Sequence, residues 1–254
     1  MCDSVWAGIV DGNCLPEREL MIGGRSTSKE FMDDMSIADD RIDAALRELS
    51  VISRFLGGDR VSVSGIARMD QTAQNGHPLR ILDCGAGESD LVHALKALAR
   101  PVHVTALDLN FRACHYSGKR LSPLSVVNGS AFRLPFRDRS FDIVHAALFC
   151  HHFDEAELRM ILTEWSRVAR IGIVINDLHR SVLALVGISL LTKFFSHSAM
   201  VRHDGPLSVR RGFLKKELSD IASGFGELTI THHWAFRWLV SISFTGERRG
   251  GIHI

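Results

Sequence analysis

The stretch that most constrains the fold of this chain is residues 80–90, Arg-Ile-Leu-Asp-Cys-Gly-Ala-Gly-Glu-Ser-Asp. Its apolar run ends at Asp83, and two glycines, Gly85 and Gly87, separate that run from an apolar-periodic segment. This order predicts a buried strand, a sharp turn and a helix, because glycine adopts backbone angles that other residues disfavour. The first amides of a helix attract an anionic group. The stretch therefore predicts an α/β sheet with a nucleotide-like ligand at the end of its first strand.

The second predicted strand, residues 102–107, indicates which ligand fits. It ends in Asp108, whose carboxylate can accept hydrogen bonds from the two hydroxyls of a ribose. The nicotinamide fingerprint needs a third glycine where this chain has Asp90, and Asp83 would crowd a pyrophosphate. An adenosyl sulfonium instead carries an ammonium group that Asp83 can hold. The glycine pattern alone also fits a ligand-free turn, and the position of Asp108 favours the ligand.

Predicted strands and helices alternate beyond this point, which is typical of a doubly wound parallel sheet. Further strands are expected at 124–127, 142–148, 172–176, 227–236 and 237–244. Helices are expected at 36–56, 155–169 and 213–222, with a shorter one within 59–78. The last two strands adjoin each other, which predicts a terminal antiparallel hairpin that dinucleotide-binding folds lack. The predicted fold class is therefore α/β, with a doubly wound, Rossmann-like, seven-stranded sheet that ends in this hairpin.

Four motifs occur in order: Asp83-x-Gly85-x-Gly87, Asp108, Gly-Ser-Ala-Phe-Arg-Leu-Pro-Phe at 129–136 and Ser-Phe-Asp-Ile-Val at 140–144. Together they resemble the class I S-adenosylmethionine-dependent methyltransferases, in particular the methyltransferase-11 branch that is similar to quinone-biosynthesis methyltransferases. The resemblance covers most of the chain. It implies S-adenosyl-L-methionine as the cofactor.

The resemblance also implies a division of the chain. Residues 76–254 are expected to form the methyltransferase core, with a substrate-binding insertion around 178–212. Residues 1–75 are expected to form an N-terminal helical extension or lid. An ordinary amphipathic helix on the flank of the sheet is the alternative for the helix predicted at 36–56.

Cofactor contacts are expected from the glycine loop and from the residues that follow the second, third and fourth strands. These residues are Asp83, Gly85, Ala86, Gly87, Asp90, Asp108, Leu109, Ser130, Ala131, Phe132 and Leu148. The chain departs from the family pattern twice. Ser89 stands where the family has a third glycine, and Ser130 stands where it has an aspartate that accepts a hydrogen bond from the adenine amino group. A non-catalytic, methyltransferase-like binding or scaffold protein is therefore kept as an alternative.

Histidines that follow the later strands are the candidates for handling the proton of a methyl acceptor. A phenol with a pKa near ~10 is mostly protonated at neutral pH, so a general base helps, and histidine titrates close to that pH. The candidates are His151, His152, His179 and His203. Helix capping or packing is the alternative for His152. Three arginines, Arg180, Arg210 and Arg211, fit either an acidic acceptor or solvated salt bridges.

The apolar segment 182–195 is too short to cross a bilayer, which needs ~20 residues. It is expected to pack in the core, to line an apolar pocket or contact a second copy, or to touch a membrane surface. A homodimer is accordingly kept open.

Composition excludes several classes of function. The net charge is +1, and no run of Lys or Arg exceeds a pair, so nothing indicates a partner nucleic acid. The five cysteines lack zinc spacing, and no Asp/His set predicts a metal site. Their dispersal and the absence of a signal-peptide pattern predict a cytoplasmic protein.

The sequence therefore predicts methyl transfer from S-adenosylmethionine to a small metabolite that is aromatic, phenolic or otherwise apolar. Methylation of oxygen is expected first and methylation of carbon next. Residues 174–181 and 202–211 resemble a bacterial subgroup linked to aromatic polyketide or phenolic pathways, which places the acceptor in secondary metabolism. The scaffold protein and an RNA or protein methyltransferase are the alternatives.

Overall fold

The strands form one sheet in which five parallel strands are followed by an antiparallel hairpin. A computed structural model describes residues 22–33, 40–71, 77–87, 91–98, 100–110 and 125–244. The strands are β1 (Leu79–Cys84), β2 (Val102–Asp108), β3 (Ser125–Asn128), β4 (Phe141–Ala147), β5 (Ala169–Leu178), β6 (Glu227–His233) and β7 (Arg237–Ser243). Their order across the sheet is β3-β2-β1-β4-β5-β7-β6. This arrangement confirms the predicted α/β class, the doubly wound sheet and the terminal hairpin.

The central strands are buried on both faces, which is why their sequences are continuous apolar runs. In β1 and β4, Ile81, Leu82, Ile143 and Val144 have no exposed surface. The edge strand β6 has no fully buried residue and alternates between more and less exposed positions. The apolar pattern of the sequence thus reports the position of each strand in the sheet.

The helices of the described residues flank the sheet. They are α1 (Asp40–Phe55), α2 (Gly58–Gln71), α3 (Leu91–Ala94), α4 (Glu155–Val168), α5 (Val182–Phe195), α6 (Ala199–Arg211) and α7 (Lys215–Ala222). Helix α4 begins with a capping box, in which Asp154 accepts a hydrogen bond from the Glu157 amide and Glu157 accepts one from the Asp154 amide. Five apolar residues that recur at helical spacing along it are buried: Leu158, Ile161, Leu162, Trp165 and Val168.

Each face of the sheet carries its own apolar cluster. On one face, Ile66 and Met69 of α2 pack with Leu91 and Leu95 against the central strands. On the other face, α4 and α7 pack against Leu82, Val144 and Ile173 of the central strands. Helix α2 is therefore part of the core, and α1 lies outside it against α2 and α6.

The sequence pattern favours a loop after the apolar segment, at His203 and Asp204, and this is wrong, because residues 199–211 form helix α6. Gly205 and Pro206 indicate a break, and proline does remove a backbone donor from a helix. Packing outweighs this local preference. A side chain at Gly205 would lie 3.2 Å from Thr192 of α5, so the glycine lets the two helices approach closely.

Two boundaries also differ from the prediction. Strand β5 extends over 169–178 rather than 172–176, because β7 pairs with it along most of that length. Phe213 was predicted to begin a helix, but it forms a β-bridge with His179 and α7 begins at Lys215. Among the described residues, no helix is both long enough and apolar enough to span a membrane.

Candidate active site

A cavity of about 1290 Å³ opens at the carboxyl ends of β1 to β4. It is lined by all of the predicted cofactor residues that the structure describes. These are Asp83, Gly85, Ala86, Gly87, Asp108, Leu109, Ser130, Ala131, Phe132 and Leu148. Two residues of the loop that the sequence singles out, Ser89 and Asp90, lie outside the described residues. The carboxyl edge of a parallel sheet is where open α/β folds bind ligands.

The glycine loop has a conformation that requires glycine. Gly85 and Gly87 have φ angles of +65° and +51°, in the left-handed region that side chains disfavour. A Cβ atom at Gly85 would lie 2.0 Å from the ring of Phe149. The loop therefore brings its main chain directly to the cavity wall.

Asp108 is held in place by the loop that it faces. Its two carboxylate oxygens accept hydrogen bonds from the amides of Gly87 (2.9 Å) and Asn110 (2.8 Å). Burial raises the pKa of Asp108, although the two amides act against that rise. These bonds hold the Asp108 carboxylate, which can accept hydrogen bonds at about four positions, at the wall of the cavity.

Asp83 begins a buried polar network beneath the loop. Its Oδ1 lies 2.7 Å from Nδ1 of His145, whose Nε2 lies 2.9 Å from Oγ of Ser62. Ser62 in turn accepts a hydrogen bond from the buried Asn176 amide. The sequence analysis missed His145, although the pairing of β1 with β4 places it beside Asp83. His145 could have been found from the sequence, because it is a single histidine within the apolar run of β4.

Aromatic rings form the wall beside the segment that follows β3. Phe132 meets Phe153 edge to face with ring centroids 5.5 Å apart, and Phe149 lies 4.9 Å from Phe153. Ser130 Oγ accepts a hydrogen bond from the Phe132 amide at 3.3 Å. Leu148, which has a φ of +51°, turns the chain from β4 toward this wall. Such strain is concentrated at functional sites in proteins.

Two carboxylate-held imidazoles follow β4. His151 is buried, and its Nδ1 lies 2.7 Å from Oδ1 of Asp177 at the end of β5. His152 is partly exposed, and its Nδ1 lies 2.7 Å from Oδ1 of Asp33. An ionised carboxylate only accepts hydrogen bonds, so each Nδ1 donates its proton to the carboxylate, and in a neutral imidazole the lone pair then lies on Nε2. Burial opposes ionisation of Asp33 and Asp177, but the neighbouring histidines outweigh it and lower the pKa of both.

Glu30 completes this side of the cavity. It is 5% exposed, and its Oε1 has no hydrogen-bond partner among the described residues. Oε1 lies 3.6 Å from Nε2 of His151 and 3.9 Å from Nε of Arg211. Burial raises the pKa of Glu30 to about 7.

The structure does not bring His179 or His203 to this cavity. His179 directly follows β5 and faces the hairpin, where its Nδ1 lies 3.2 Å from Nε2 of His232 and its ring lies against Trp238. His203 lies on the outer side of α6, bonded to Asp204 and stacked on Phe31.

The predicted arginines are engaged in other ways. Arg180 is buried and forms a two-pronged ion pair with Glu217 at 2.7 and 2.9 Å. Arg211 donates to Asp33 at 2.8 Å and to the backbone carbonyl groups of His151 and His152. Both guanidinium groups therefore bind other parts of the protein and hold them in place. Arg210 is exposed.

The sequence analysis missed the part of the site that residues 22–33 supply. Arg25 donates to the carbonyl groups of His151 and Phe153, and Glu30 and Asp33 face the two imidazoles. This segment has no hydrophobic period, and only the tertiary fold brings it to β4.

Part of the apolar segment 182–195 forms the opposite wall. Ala184, Gly187, Ile188 and Leu191 of α5 line the cavity, together with Leu49, Ile52 and Leu56 from the region of α1. Three roles were expected for this segment, and the inner face of α5 has one of them, because it forms part of the wall of an apolar pocket. Its outer face exposes Leu183, Val186, Leu190, Phe194 and Phe195.

Comparison with known proteins matches residues 81–172 to a family model described as a methyltransferase domain. The chain is 33% identical over 94 residues to a demethylmenaquinone methyltransferase of Thermotoga maritima, which covers 37% of this chain and 40% of the relative. It is 34% identical over 95 residues to a fatty-acid O-methyltransferase of Mycolicibacterium smegmatis, with 37% and 34% of the two chains covered. The chain thus spans less than half the length of these curated relatives.

Solved structures share the fold at low identity. The plantazolicin methyltransferase BamL, in complex with a triazolic desmethylPZN analog and SAH, has a TM-score of 0.58 and 16% identity. The match covers 80% of this chain and 79% of that one. The plantazolicin methyltransferase BpumL in complex with SAH has a TM-score of 0.58 and 14% identity over 76% of this chain and 80% of that one.

Proposed function

We propose that this chain, which belongs to the class I S-adenosylmethionine-dependent methyltransferases, transfers a methyl group from that cofactor to a small apolar or aromatic acceptor. One observation carries the proposal. The cofactor residues predicted from sequence and a pair of carboxylate-held imidazoles line the same cavity.

The residues of the cofactor half fit S-adenosyl-L-methionine. Asp108 accepts hydrogen bonds from the ribose hydroxyls, and Asp83 faces the ammonium group of the methionine end. Gly85 and Gly87 would let the main chain approach the cofactor without side chains between them. Ser130 accepts a hydrogen bond from the adenine amino group, beside Ala131 and the aromatic wall.

When bound, this cofactor supplies an activated methyl group for displacement at carbon. The protein must hold the acceptor atom in line with that group and exclude water, and such positioning is worth roughly 7–11 kcal/mol in model reactions. The apolar walls formed by α1 and α5 provide the exclusion. Nε2 of His152, oriented by Asp33 through Nδ1, accepts the proton of an acceptor hydroxyl.

We favour an oxygen atom as the acceptor. Imidazoles poised to accept a proton serve a hydroxyl group, whose proton must leave when oxygen is methylated. The similarity to a fatty-acid O-methyltransferase supports the same choice. The apolar lining supports an aromatic or otherwise apolar molecule, such as a phenolic product of secondary metabolism.

The N-terminal residues are proposed to close the acceptor side. Leu49, Ile52 and Leu56 line the cavity, and residues 22–33 supply Glu30 and Asp33 to it. Together they act as the lid over a substrate-binding insertion built from α5 and α6. A cytoplasmic location and a homodimeric state remain predictions from the sequence.

Calorimetric titration with S-adenosylmethionine and with S-adenosylhomocysteine tests the cofactor half. We expect binding of both ligands by the wild-type chain, none of NADH, and a loss of affinity of at least tenfold in Asp108→Ala, because about 1.4 kcal/mol of hydrogen bonding to the ribose suffices for that factor. Asp220→Ala is the matched control, since Asp220 pairs with Lys216 on the exposed face of α7. Absence of binding by either adenosyl ligand would favour a scaffold protein and contradict the enzyme.

A further inference from the structure

We propose that Glu30, His151 and His152 form a binding site for a divalent transition-metal ion of the class of Zn²⁺. One potential ligand atom from each residue lies within 4.8 Å of the other two. All three residues line the acceptor side of the cavity. The role given to the ion below rests on the proposed function, whereas binding of the ion does not.

The spacing of the ligand atoms suits an ion better than a hydrogen bond. Nε2 of His151 and Oε1 of Glu30 are 3.6 Å apart, which is too long for a hydrogen bond. Bonds from zinc to nitrogen and oxygen are about 2.0–2.1 Å long, so two ligands of a tetrahedral ion lie roughly 3.3 Å apart. The three ligand atoms lie within 4.8 Å of one another, so binding an ion would draw them together by up to about 1.5 Å.

Both imidazoles are prepared as metal ligands by a second carboxylate. Asp177 holds Nδ1 of His151 and Asp33 holds Nδ1 of His152, each at 2.7 Å. Metal-binding histidines in proteins almost always donate their other ring proton in this way, which fixes the tautomer and the ring orientation. The lone pairs on the two Nε2 atoms are then the ligand electrons.

The buried oxygen of Glu30 is an independent observation. The residue is 5% exposed and its Oε1 lacks a hydrogen-bond partner among the described residues. A buried acceptor left unsatisfied is destabilising. A metal ion at this position would satisfy it.

The charges around the site also accommodate a cation. Three carboxylates, Glu30, Asp33 and Asp177, surround the imidazoles, and Arg211 is the guanidinium group that lies among them. Arg25 is held nearby on the carbonyl groups of the same turn. With Glu30 ionised and both imidazoles neutral, one negative charge remains in excess over the two guanidinium groups, and it attracts a cation.

The ligand set selects the class of ion. Two imidazole nitrogens with one carboxylate favour Zn²⁺ and similar ions over Mg²⁺, which prefers oxygen ligands. Three protein ligands leave at least one coordination position open, as in catalytic zinc sites. An acceptor hydroxyl or carboxylate in the cavity would take that position, and the ion would lower the pKa of a bound hydroxyl. With the ion bound, Nε2 of His152 is a ligand and does not accept the proton of the acceptor, so the lowered pKa replaces the general base proposed above.

Titration of the tag-free, EDTA-treated full chain with Co²⁺ alone tests the site. We expect one tightly bound ion per chain with the visible absorption of a four- or five-coordinate site. Glu30→Gln and His152→Asn are expected to weaken binding at least tenfold. Asp33→Asn is expected to weaken it by about 10- to 100-fold, as outer carboxylates do in other metal sites.

His203→Asn is the matched control, because His203 also pairs with a carboxylate but lies outside the cavity. It should bind Co²⁺ as the wild type does. No stoichiometric binding by the wild-type chain, or equal binding by Glu30→Gln, would overturn the proposal and leave the cluster as an ion-pair network around Arg211. Near-UV circular dichroism shows whether each variant is folded.

The two proposals fail separately. Binding of S-adenosylhomocysteine is measured by calorimetry on the same Glu30→Gln and His152→Asn proteins. Loss of Co²⁺ with retained binding of S-adenosylhomocysteine supports the metal site. If the wild-type chain binds Co²⁺ but neither adenosyl ligand, the proposed metal site stands, and the role proposed for the ion in methyl transfer is contradicted.

Discussion

His179 has a titration that the fold strongly perturbs. Burial, the neighbouring His232 and Arg180 lower its pKa from the ordinary 6.5 to about 4. The unfolded chain therefore binds a proton near pH 6.5 and the folded chain only near pH 4. Between these values the unfolded state holds more protons, so the free energy of unfolding falls as the pH falls.

We expect His179→Asn and His179→Gln to lose less stability than the wild type between pH 6.5 and pH 4. Neither amide titrates in that range, so the penalty for protonation disappears. Urea unfolding at pH 7, 5.5 and 4.5 measures the effect. Two neutral replacements separate titration from packing, because both should flatten the pH dependence whatever their stability at pH 7. Parallel curves for the variants and the wild type would contradict the prediction.

Single residues show which parts of the site a sequence can reveal. The common position of Asp83, Gly85 and Asp108 at one cavity was predictable, because it follows from local order: a strand, a turn and a strand end. Glu30 and Asp33 were not, since no period or motif marks residues 22–33. His145 lay between these cases, because its partner is set by the register of β1 and β4.

Helix α2 approaches the sheet through Gly65. A Cβ atom there would lie 2.7 Å from Cδ1 of Leu239 and 2.9 Å from Cγ1 of Val174. Overpacking of a core typically destabilises by about 1–3 kcal/mol, and the better helix propensity of alanine recovers about 1 kcal/mol. We therefore expect Gly65→Ala to lower the free energy of unfolding by about 1 kcal/mol.

The matched control is Gly187→Ala in α5. A Cβ atom at Gly187 meets nothing within 4 Å, so only helix propensity acts and the variant should gain roughly 0.5–1 kcal/mol. Chemical unfolding of both variants measures the difference. A Gly65→Ala protein as stable as Gly187→Ala would mean that α2 does not press on the sheet.

Elements differed in how well their sequences predicted them. Helix α4 was predicted because its capping residues and its apolar stripe agree. Helix α6 was not, because Gly205 and Pro206 indicate a loop while the contact with α5 favours a helix. Tertiary packing can outweigh the local conformational preference of a segment. This happens in α6, which lies in the insertion between two strands of the sheet.

At the scale of the whole molecule, the fold was predictable and the complete site was not. The order of the motifs predicts the arrangement of strands in the sheet. Each motif marks the end of one strand, and the alternation of strands with helices predicts that neighbouring strands run parallel. The acceptor side instead joins residues 22–33 to the turn after β4, more than a hundred residues away in the chain. Such a contact leaves no trace in local patterns.

The same long-range assembly predicts that cofactor binding stabilises the whole fold. The cavity takes residues from the glycine loop, from the ends of β2 to β4 and from the N-terminal segment, so only the native state can bind. A ligand at 100 times its dissociation constant then adds about 2.7 kcal/mol to the free energy of unfolding. For a domain of this size, that corresponds to a rise in Tm of roughly 5–10 °C.

Thermal unfolding with and without S-adenosylhomocysteine measures this rise. NADH should leave the Tm unchanged, and Asp108→Ala should show a smaller rise at the same ligand concentration, because its weaker binding shifts the equilibrium less. Asp220→Ala should behave as the wild type. A full rise in Asp108→Ala would mean that the ribose is held elsewhere. In that case the role of the Asp108 carboxylate would be to hold the glycine loop, through the hydrogen bonds that it accepts from the amides of Gly87 and Asn110.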